Sequence, residues 1–576
     1  MVLSLLKKLA LAASVLPISI VSAEAASTSR NQPTSLSGNY LAGVFASKAR
    51  DTEAAAGFIA NALEKDPTNP ELITRALMLE LGKGAVATAE KHAAKVVAND
   101  ERHRIARLVL ALKAFREGDQ EASREHLSHS AYTPIGQLSS ALATGWSWAA
   151  SGDLDRAILA LRKLESTESF AVYQAFHSAL IADFLNVPER ARSFYERTYD
   201  NAGGSLRVAQ AYANFLERHG EQSKALDILR KFQTTTTGHP LVEAEITRIE
   251  AGRPVTPFIG TASQGAAESL FGLASALTDQ SGFDLALLYA QLSVSIRPRF
   301  ALLRTLLGDV YQETKRHKNA IKAYEAVPVS SPLRPYAEIR IAVNYDRTGE
   351  PGIAEARLKK QIELRKDDHL PPLTLGNLQR GHEKFAEAIP NYSRAIANVG
   401  KVENKHWTLF YFRGIAYERT KQWPLAETDF KKALELRPEQ PLVLNYLGYS
   451  WIEQGAHLRK ALGMIERAVE LRPNDGYIVD SLGWAHYKLK NYEDAVKNLE
   501  RAVELKPQDP VINDHLGDAY WRVGRKLEAR FQWLHAKDNK PELDVLKKIQ
   551  KKLESGLEPD AVVPAEVKQE QKDDKT

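Results

Sequence analysis

One repeated pattern between Trp407 and Ala536 constrains the fold of the whole chain. Four similar segments follow one another there: YFRGIAYERTKQWPLAETDFKKALELRP, NYLGYSWIEQGAHLRKALGMIERAVELRP, DSLGWAHYKLKNYEDAVKNLERAVELKP and DHLGDAYWRVGRKLEARFQWLHA. Small residues recur in them every 34 or 35 positions, at Gly414, Gly448, Gly483 and Gly517 and at Ala426, Ala461, Ala495 and Ala529. Pro438, Pro473 and Pro507 close the first three segments. Self-similarity at this period predicts a repeat protein rather than a set of independent globular domains.

The pattern within one segment predicts two antiparallel helices joined by a short turn. Glycine and alanine at fixed places, such as Gly448 and Ala461, allow two helix backbones to approach closely. Aromatic residues such as Tyr417 and Phe430 fill the space between them. The closing proline ends the second helix, because proline lacks a backbone donor and clashes with the preceding turn. One pair cannot bury its apolar face alone, so successive pairs must stack.

With small, aromatic and proline positions at this period, the segments resemble tetratricopeptide (TPR) repeats. The resemblance implies an all-α fold, namely a TPR solenoid in which antiparallel helix pairs form a right-handed superhelix. The alanine that opens each second helix can be followed along the chain, at Ala55, Ala89, Ala122, Ala157, Ala191 and Ala225 and again at Ala286, Ala320, Ala354 and Ala388. The Ala122 copy is the weakest. We predict about fourteen repeats in two blocks, about six in residues 38–232 and about eight in residues 266–538.

The series of alanines is interrupted by residues 233–265. Two stretches rich in threonine, proline and glycine, QTTTTGHP and GRPVTPFIGTASQG, surround a short predicted helix and indicate irregular backbone. We interpret this segment as a linker or hinge between the blocks, although a decayed repeat fits the sequence equally well. After the last repeat, residues 539–555 predict an amphipathic capping helix and residues 556–576 a disordered tail.

The first 23 residues have the features of a secretory signal peptide. Lys7 and Lys8 precede an apolar run from Leu9 to Val21, and Ala23 offers a small-residue cleavage site. Residues 24–37 are polar and predict a flexible segment. An uncleaved anchor or an ordinary helix is the alternative. No other run is long and apolar enough to span a membrane, so we expect an exported, soluble, periplasmic protein.

The composition argues against catalysis. The chain has no cysteine, which excludes disulfides, a cysteine nucleophile, thiolate metal ligands and the lipid-modified cysteine of a lipoprotein. The motifs HExxH, GxGxxG, GxxxxGKS/T and GxSxG are absent, and His126 and His129 have no third ligand nearby. With 77 basic and 72 acidic residues, the chain has no nucleic-acid footprint. We expect no enzyme activity, no cofactor and no metal.

The first helix of each repeat is expected to line a concave groove. Counting the repeat glycine as position 8, positions 5, 9 and 12 share that face. The predicted partner-binding residues are Tyr411, Asn445, Tyr449, Asp480, Trp484, Asp514, Asp518 and Trp521. Aromatic and adaptable polar side chains suit a bound peptide, and the carboxylates favour a cationic or neutral ligand over a terminal carboxylate. The alternative is that these side chains only pack between repeats.

The stretch from Leu444 to Trp533 is also similar to a narrower group, the large bacterial envelope TPR proteins. The segments LGYSWIEQG, DSLGWAHYKL and DHLGDAYWRVGR are the basis of this resemblance. The best-studied type is an outer-membrane lipoprotein that serves a carboxyl-terminal processing protease as adaptor and brings it peptidoglycan hydrolases. The resemblance implies such protein partners, although this chain lacks the lipidation cysteine. An assembly factor of the envelope or of a secretion machine, with the repeats as a spacer, is the alternative, and self-association is compatible with either.

Overall fold

A computed structural model describes residues 35–558, apart from residues 166, 237, 280 and 281. Every regular element in this part of the chain is helical, and none of it forms a β-strand. Contacts divide the chain into two compact units, Met1–Leu364 and Arg365–Thr576. The expected signal peptide, nearly all of the segment 24–37 and most of the tail lie outside the described residues. Within them, no helix has both the length and the apolar character needed to cross a membrane.

The helices of the first unit are α1 Leu36–Lys48, α2 Thr52–Lys65, α3 Pro70–Gly82, α4 Val86–Asn99, α5 Arg104–Glu117, α6 Gln120–Ser128, α7 Pro134–Ala150, α8 Leu154–Arg162, α9 Glu168–Phe184, α10 Pro188–Ala202, α11 Leu206–Arg218, α12 Gln222–Thr235, α13 Pro240–Glu250, α14 Ala262–Asp279, α15 Phe283–Ile296, α16 Ala301–Glu313, α17 His317–Glu325, α18 Arg334–Arg347 and α19 Pro351–Leu364.

The helices of the second unit are α20 Leu370–Gly381, α21 Phe385–Asn398, α22 Trp407–Arg419, α23 Trp423–Leu436, α24 Pro441–Gln454, α25 Leu458–Leu471, α26 Gly476–Lys488, α27 Tyr492–Leu505, α28 Pro510–Arg522, α29 Lys526–Asp538 and α30 Leu543–Ser555. A 3₁₀ turn, Asn404–His406, precedes α22. It lies in the interval from Ala388 to Ala426, which is 38 residues long instead of the 34 or 35 of most repeats.

In both units the helices pack in consecutive pairs, and the repeat alanine lies where the two helices of a pair meet. Thirteen of these alanines have no exposed surface: Ala55, Ala89, Ala157, Ala191, Ala225, Ala286, Ala320, Ala354, Ala388, Ala426, Ala461, Ala495 and Ala529. Ala122, in the weakest copy, is only partly buried. The predicted all-α fold of stacked helix pairs is confirmed, whereas the number of repeats stays a prediction.

The repeat glycine lies on the first helix of each pair, at the contact with the second helix. A Cβ atom added at Gly308 would lie 2.4 Å from Cε1 of Tyr324, and one added at Gly517 would lie 2.5 Å from Cδ1 of Trp533. Both rings come from the second helix of the same pair and are completely buried. A large ring therefore packs directly on the backbone of the first helix, and only glycine leaves room for it.

The first unit is not a simple series of pairs, because α14 and α15 pack back on much earlier helices. Helix α14 contacts α7 and α9, and α15 contacts α3, α4 and α5. The Arg104 guanidinium donates to the Tyr289 hydroxyl at 2.9 Å, and the Tyr311 hydroxyl donates to the backbone carbonyl of Gly82 at 3.2 Å. Residues 262–296 therefore share a hydrophobic core with helices of residues 70–184.

This packing gives a different division of the chain from the one that the sequence suggests. The sequence places the break at residues 233–265, whereas the contacts place it between Leu364 and Arg365. Helix α13 lies inside the proposed linker, and Val242, Ile249 and Ile259 are buried in the core of the first unit. The segment is irregular between α13 and α14, but its apolar side chains hold it in place.

A buried ion pair links α14 to α11. The Glu268 carboxylate accepts two hydrogen bonds from the Arg207 guanidinium, each 2.7 Å long, and Arg297 lies 3.7 Å away. Burial raises the pKa of Glu268, but the two guanidiniums outweigh burial and hold this pKa below its ordinary value. Next to this pair, His177 accepts a hydrogen bond from the Trp146 indole, and burial lowers the pKa of His177 to about 4.

Candidate functional site

Tyr411 belongs to the interior between repeats rather than to an open groove. Its side chain is 8% exposed and packs among the rings of Trp407, Phe430 and Tyr446. Burial raises the pKa of Tyr411 to about 12. Position 5 of this repeat is directed at the first helix of the next repeat, because Tyr446 lies on α24. Tyr411 thus packs between repeats, and a contact of this residue with a partner stays a prediction.

The carboxylate of Asp480, at position 5 of its repeat, is also directed at the first helix of the next repeat. It lies on α26 and is 2.9 Å from Nδ1 of His515, which lies on α28, the next first helix. Burial lowers the pKa of His515, but the carboxylates of Asp480, Asp514 and Asp518 outweigh burial and raise it above its ordinary value. Asp480 is buried as well. It therefore joins two repeats, where the sequence suggested a contact with bound peptide.

The last two predicted carboxylates are paired with a lysine of the capping helix α30. The Lys552 ammonium lies 2.8 Å from both Asp514 and Asp518. The Trp533 indole donates a further hydrogen bond to Asp518 at 2.9 Å. Burial raises the pKa of Asp518, and the adjacent ammonium opposes that effect. These carboxylates are buried under α30, so they are not open to a partner.

Trp521 is partly buried, and its ring packs against Gly556, which follows α30. A Cβ atom at Gly556 would lie 1.9 Å from Cζ2 of the Trp521 ring, and Gly556 has a φ of +72°. The Lys526 ammonium lies 3.8 Å from the centre of the same ring. Both the close approach and the left-handed backbone require glycine at this position. Trp521 therefore packs against the segment that directly follows α30.

Tyr449 and Trp484 remain partly exposed on neighbouring first helices, α24 and α26. The Trp484 indole donates to a carboxylate oxygen of Glu453 at 2.5 Å, and the Lys488 ammonium lies 3.2 Å from the same carboxylate. The Trp484 ring is stacked on His515 at 3.9 Å between centroids. We call Tyr449, Glu453, Trp484 and Lys488 the Tyr449–Trp484 face.

Three carboxylates lie near Tyr449 in this region, and one of them, Glu453, is paired with Lys488. Burial, together with the carboxylates of Glu453, Asp480 and Glu418, raises the pKa of Tyr449. Next to it on α24, the side-chain oxygen of Asn445 is buried and has no hydrogen-bond partner among the described residues. An aromatic surface beside carboxylates suits a lysine or arginine side chain together with apolar neighbours.

Three contributing residues were missed by the sequence argument. Glu453 lies four residues after Tyr449, so helical spacing alone could have placed it beside the aromatic pair. His515 and Lys552 pair with carboxylates one repeat earlier in the chain, and only the structure shows those contacts. In the part of the chain that is described, no three His, Asp or Glu side chains lie close enough to hold a metal ion.

Three segments match family models. Residues 302–327 and 373–441 match models described as tetratricopeptide repeat, and residues 483–524 match one described as TPR repeat. In these three segments the chain is similar to tetratricopeptide repeats. A curated relative of this chain is the TPR repeat-containing protein PA4667 of Pseudomonas aeruginosa, which is 27% identical over 195 residues. The match covers 33% of this chain and 31% of the relative, so the chain spans about a third of that protein's length.

Solved TPR structures give weak global superpositions. The APC/C hetero-tetramer Cut9–Hcn1 has a TM-score of 0.38 at 16% identity and covers 91% of this chain and 97% of its own. Yeast Tom70 has a TM-score of 0.32 at 12% identity, with coverages of 94% and 99%. YrrB, described as a TPR protein with an unusual peptide-binding site, has a TM-score of 0.27 at 22% identity, with coverages of 34% and 97%.

Proposed function

We propose that this TPR protein is a non-enzymatic binding scaffold and that the Tyr449–Trp484 face receives a peptide segment of its partner. The observation behind the proposal is a pair of partly exposed aromatic side chains on neighbouring first helices, with Glu453 between them. Aromatic anchors dominate the energy of many interfaces, and adjacent carboxylates select for basic side chains. The preferred segment has a lysine or arginine next to an apolar residue.

At the level of the whole protein, we propose an adaptor in the bacterial cell envelope. It would bring substrates to a carboxyl-terminal processing protease, and peptidoglycan hydrolases are the expected substrates. The resemblance of residues 444–533 to envelope TPR proteins and the expected signal peptide support this proposal. Periplasmic location is part of the same proposal.

The second candidate is an assembly factor of the envelope or of a secretion machine. One observation favours it: α14 and α15 pack on α3, α4, α5, α7 and α9, so part of the surface that these helices could offer to a peptide is already occupied. A unit of this kind suits a rigid spacer.

A tagged chain of residues 24–576 would separate the two candidates when used to capture proteins from the envelope fraction of its own organism. The adaptor predicts a carboxyl-terminal processing protease or a cell-wall hydrolase among the specific partners. If assembly or secretion components are recovered and both enzymes are absent, the adaptor proposal is contradicted and the scaffold proposal remains.

The face itself is tested with the partner so identified. Replacing Tyr449 and Trp484 together by alanine should weaken binding at least tenfold, because interface aromatics are typical hot spots. Tyr132→Ala is the control, since Tyr132 is an exposed aromatic residue of the first unit. Glu453→Gln removes charge with little change of shape and should weaken binding of a basic segment. Unchanged affinity in both variants, with circular dichroism showing intact helices, would remove this face from the proposal.

A further inference from the structure

The last second helix, α29, has an exposed apolar stripe. Leu527, Phe531 and Leu534 are 69%, 61% and 44% exposed. Their spacing of four and three residues places them on one side of the helix. Leu543, at the start of α30, is also exposed. Single exposed apolar residues are ordinary, but three large ones on one helix face indicate a surface that contacts something else.

The repeat architecture does not require apolar residues at these positions. The same three register positions in the two preceding second helices are Glu493, Lys497 and Glu500 in α27, and Arg459, Gly463 and Glu466 in α25. Five of these six residues are charged, as expected for the solvent side of a repeat helix. The stripe is thus a departure of the last repeat from its own pattern, and packing inside the unit does not explain it.

Basic side chains accompany the stripe. Arg530 and Lys537 lie on the exposed side of α29, and Lys547, Lys548 and Lys551 are exposed on α30. From Lys526 to Ser555 there are eight basic and five acidic residues, and seven of the basic residues remain at the surface because Lys552 is paired with Asp514 and Asp518. Arg530 also donates a hydrogen bond to the backbone carbonyl of Leu553, which ties the two helices together. The end of the second unit therefore combines an apolar stripe with an excess of positive charge.

We propose that α29 and α30 dock this protein on an anionic membrane surface. Helices that lie in a lipid interface combine leucine and phenylalanine on one side with lysine and arginine around them. Lysine and arginine can extend toward lipid phosphates while their aliphatic parts stay on apolar surface. A single exposed helix face has no walls to enclose a peptide, so a broad surface is the better match. The Tyr449–Trp484 face would then remain available to a partner protein.

The test is sedimentation of residues 24–576, which retain every residue that the structure describes, with lipid vesicles. One set of vesicles contains phosphatidylcholine alone, and the other contains phosphatidylcholine with phosphatidylglycerol. We expect binding to the second set only, and weaker binding at higher salt because the charges are screened. Leu527→Ser with Phe531→Ser should reduce binding about tenfold or more, since two large side chains no longer enter the lipid. Lys547→Glu with Lys548→Glu should also reduce it.

The controls lie on two equivalent second helices of the same unit. Leu425→Ser on α23 removes an exposed leucine, and Lys497→Glu on α27 reverses an exposed charge; both should leave binding unchanged. Equal binding to both vesicle sets, or no effect of the stripe variants, would overturn the proposal. Light scattering that shows a dimer in the unaltered chain and a monomer in the stripe variant would also overturn it, because the stripe would then join two copies of the chain.

Discussion

Replacing Gly265 by alanine tests whether α14 belongs to the core of the first unit. The new Cβ atom would lie 2.3 Å from three ring atoms of Trp146, which is a shorter separation than such contacts allow. The ring cannot easily move, because it is completely buried and its indole donates to His177. Overfilling a packed site typically costs about 1–3 kcal/mol. Alanine also favours helix over glycine by about 1 kcal/mol, which works in the opposite direction.

The control is Gly272→Ala in the same helix, where the nearest atom to the new Cβ is 3.4 Å away on Tyr173. Both variants gain the same helix propensity, so the difference between them isolates the clash. We expect Gly265→Ala to be less stable than Gly272→Ala by about 1–3 kcal/mol. Urea unfolding measures this, and hydrogen exchange of α7 assigns the loss to the first unit. Equal stability and unchanged protection of α7 would refute the packing of α14 on Trp146.

Three further predictions concern buried ionisable side chains. Arg207→Met leaves the buried carboxylate of Glu268 without its bidentate partner, and we expect about 3–5 kcal/mol less unfolding free energy in denaturant titrations; a loss below about 1 kcal/mol would contradict the importance of this pair. Because the pKa of His177 in the folded chain is about 4, below its ordinary value, the stability that depends on neutral His177 is present above about pH 6.5 and is lost as the pH falls towards 4. The loss is about 1.4 kcal/mol per pH unit, and His177→Gln should remove this part of the pH dependence of unfolding. Lys552→Met should increase hydrogen exchange in α28 because Asp514 loses its cation, whereas Lys552→Arg should largely restore protection; equal exchange in both variants would show that the positive charge at this position does not stabilise α28.

The helix pairs could be predicted from sequence because their contacts are local. Each repeat alanine packs against the partner helix of its own pair. The residues that bury an alanine such as Ala495 therefore lie nearby in the sequence, and the repeat pattern includes them. In the copy around Ala122 the repeat pattern is weaker, and the alanine is only partly buried.

The candidate site was predictable only in part. Helical periodicity placed Tyr449 and Trp484 on the same face of successive first helices, and both are partly exposed there. The same periodicity could not distinguish a side chain that faces a partner from one that reaches the next repeat. Asp480 reaches the next repeat and Asp514 reaches the capping helix, and their cations, His515 and Lys552, lie 35 and 38 residues later in the chain. The periodic pattern of a single helix does not show whether a side chain faces a partner or another helix of the same chain.

The position of α14 and α15 could not be predicted from repeat spacing. Their contacts join residues that are far apart in the chain: Arg104 and Tyr289 are separated by 185 residues, and Arg116 and Ser295 by 179. The two helices have the same apolar and small-residue pattern as any other pair. Their packing depends on which earlier side chains they meet, and a local signal cannot encode that.

The return of α14 and α15 onto earlier helices also changes how the first unit should fold. An ordinary repeat array folds by nearest-neighbour steps, and its ends can open while the rest stays ordered. In the first unit, residues 70–184 lack their central packing until the chain is complete to about residue 311. We therefore expect this unit to fold late and to open as a single cooperative block, whereas the pairs of the second unit can open one after another from their ends.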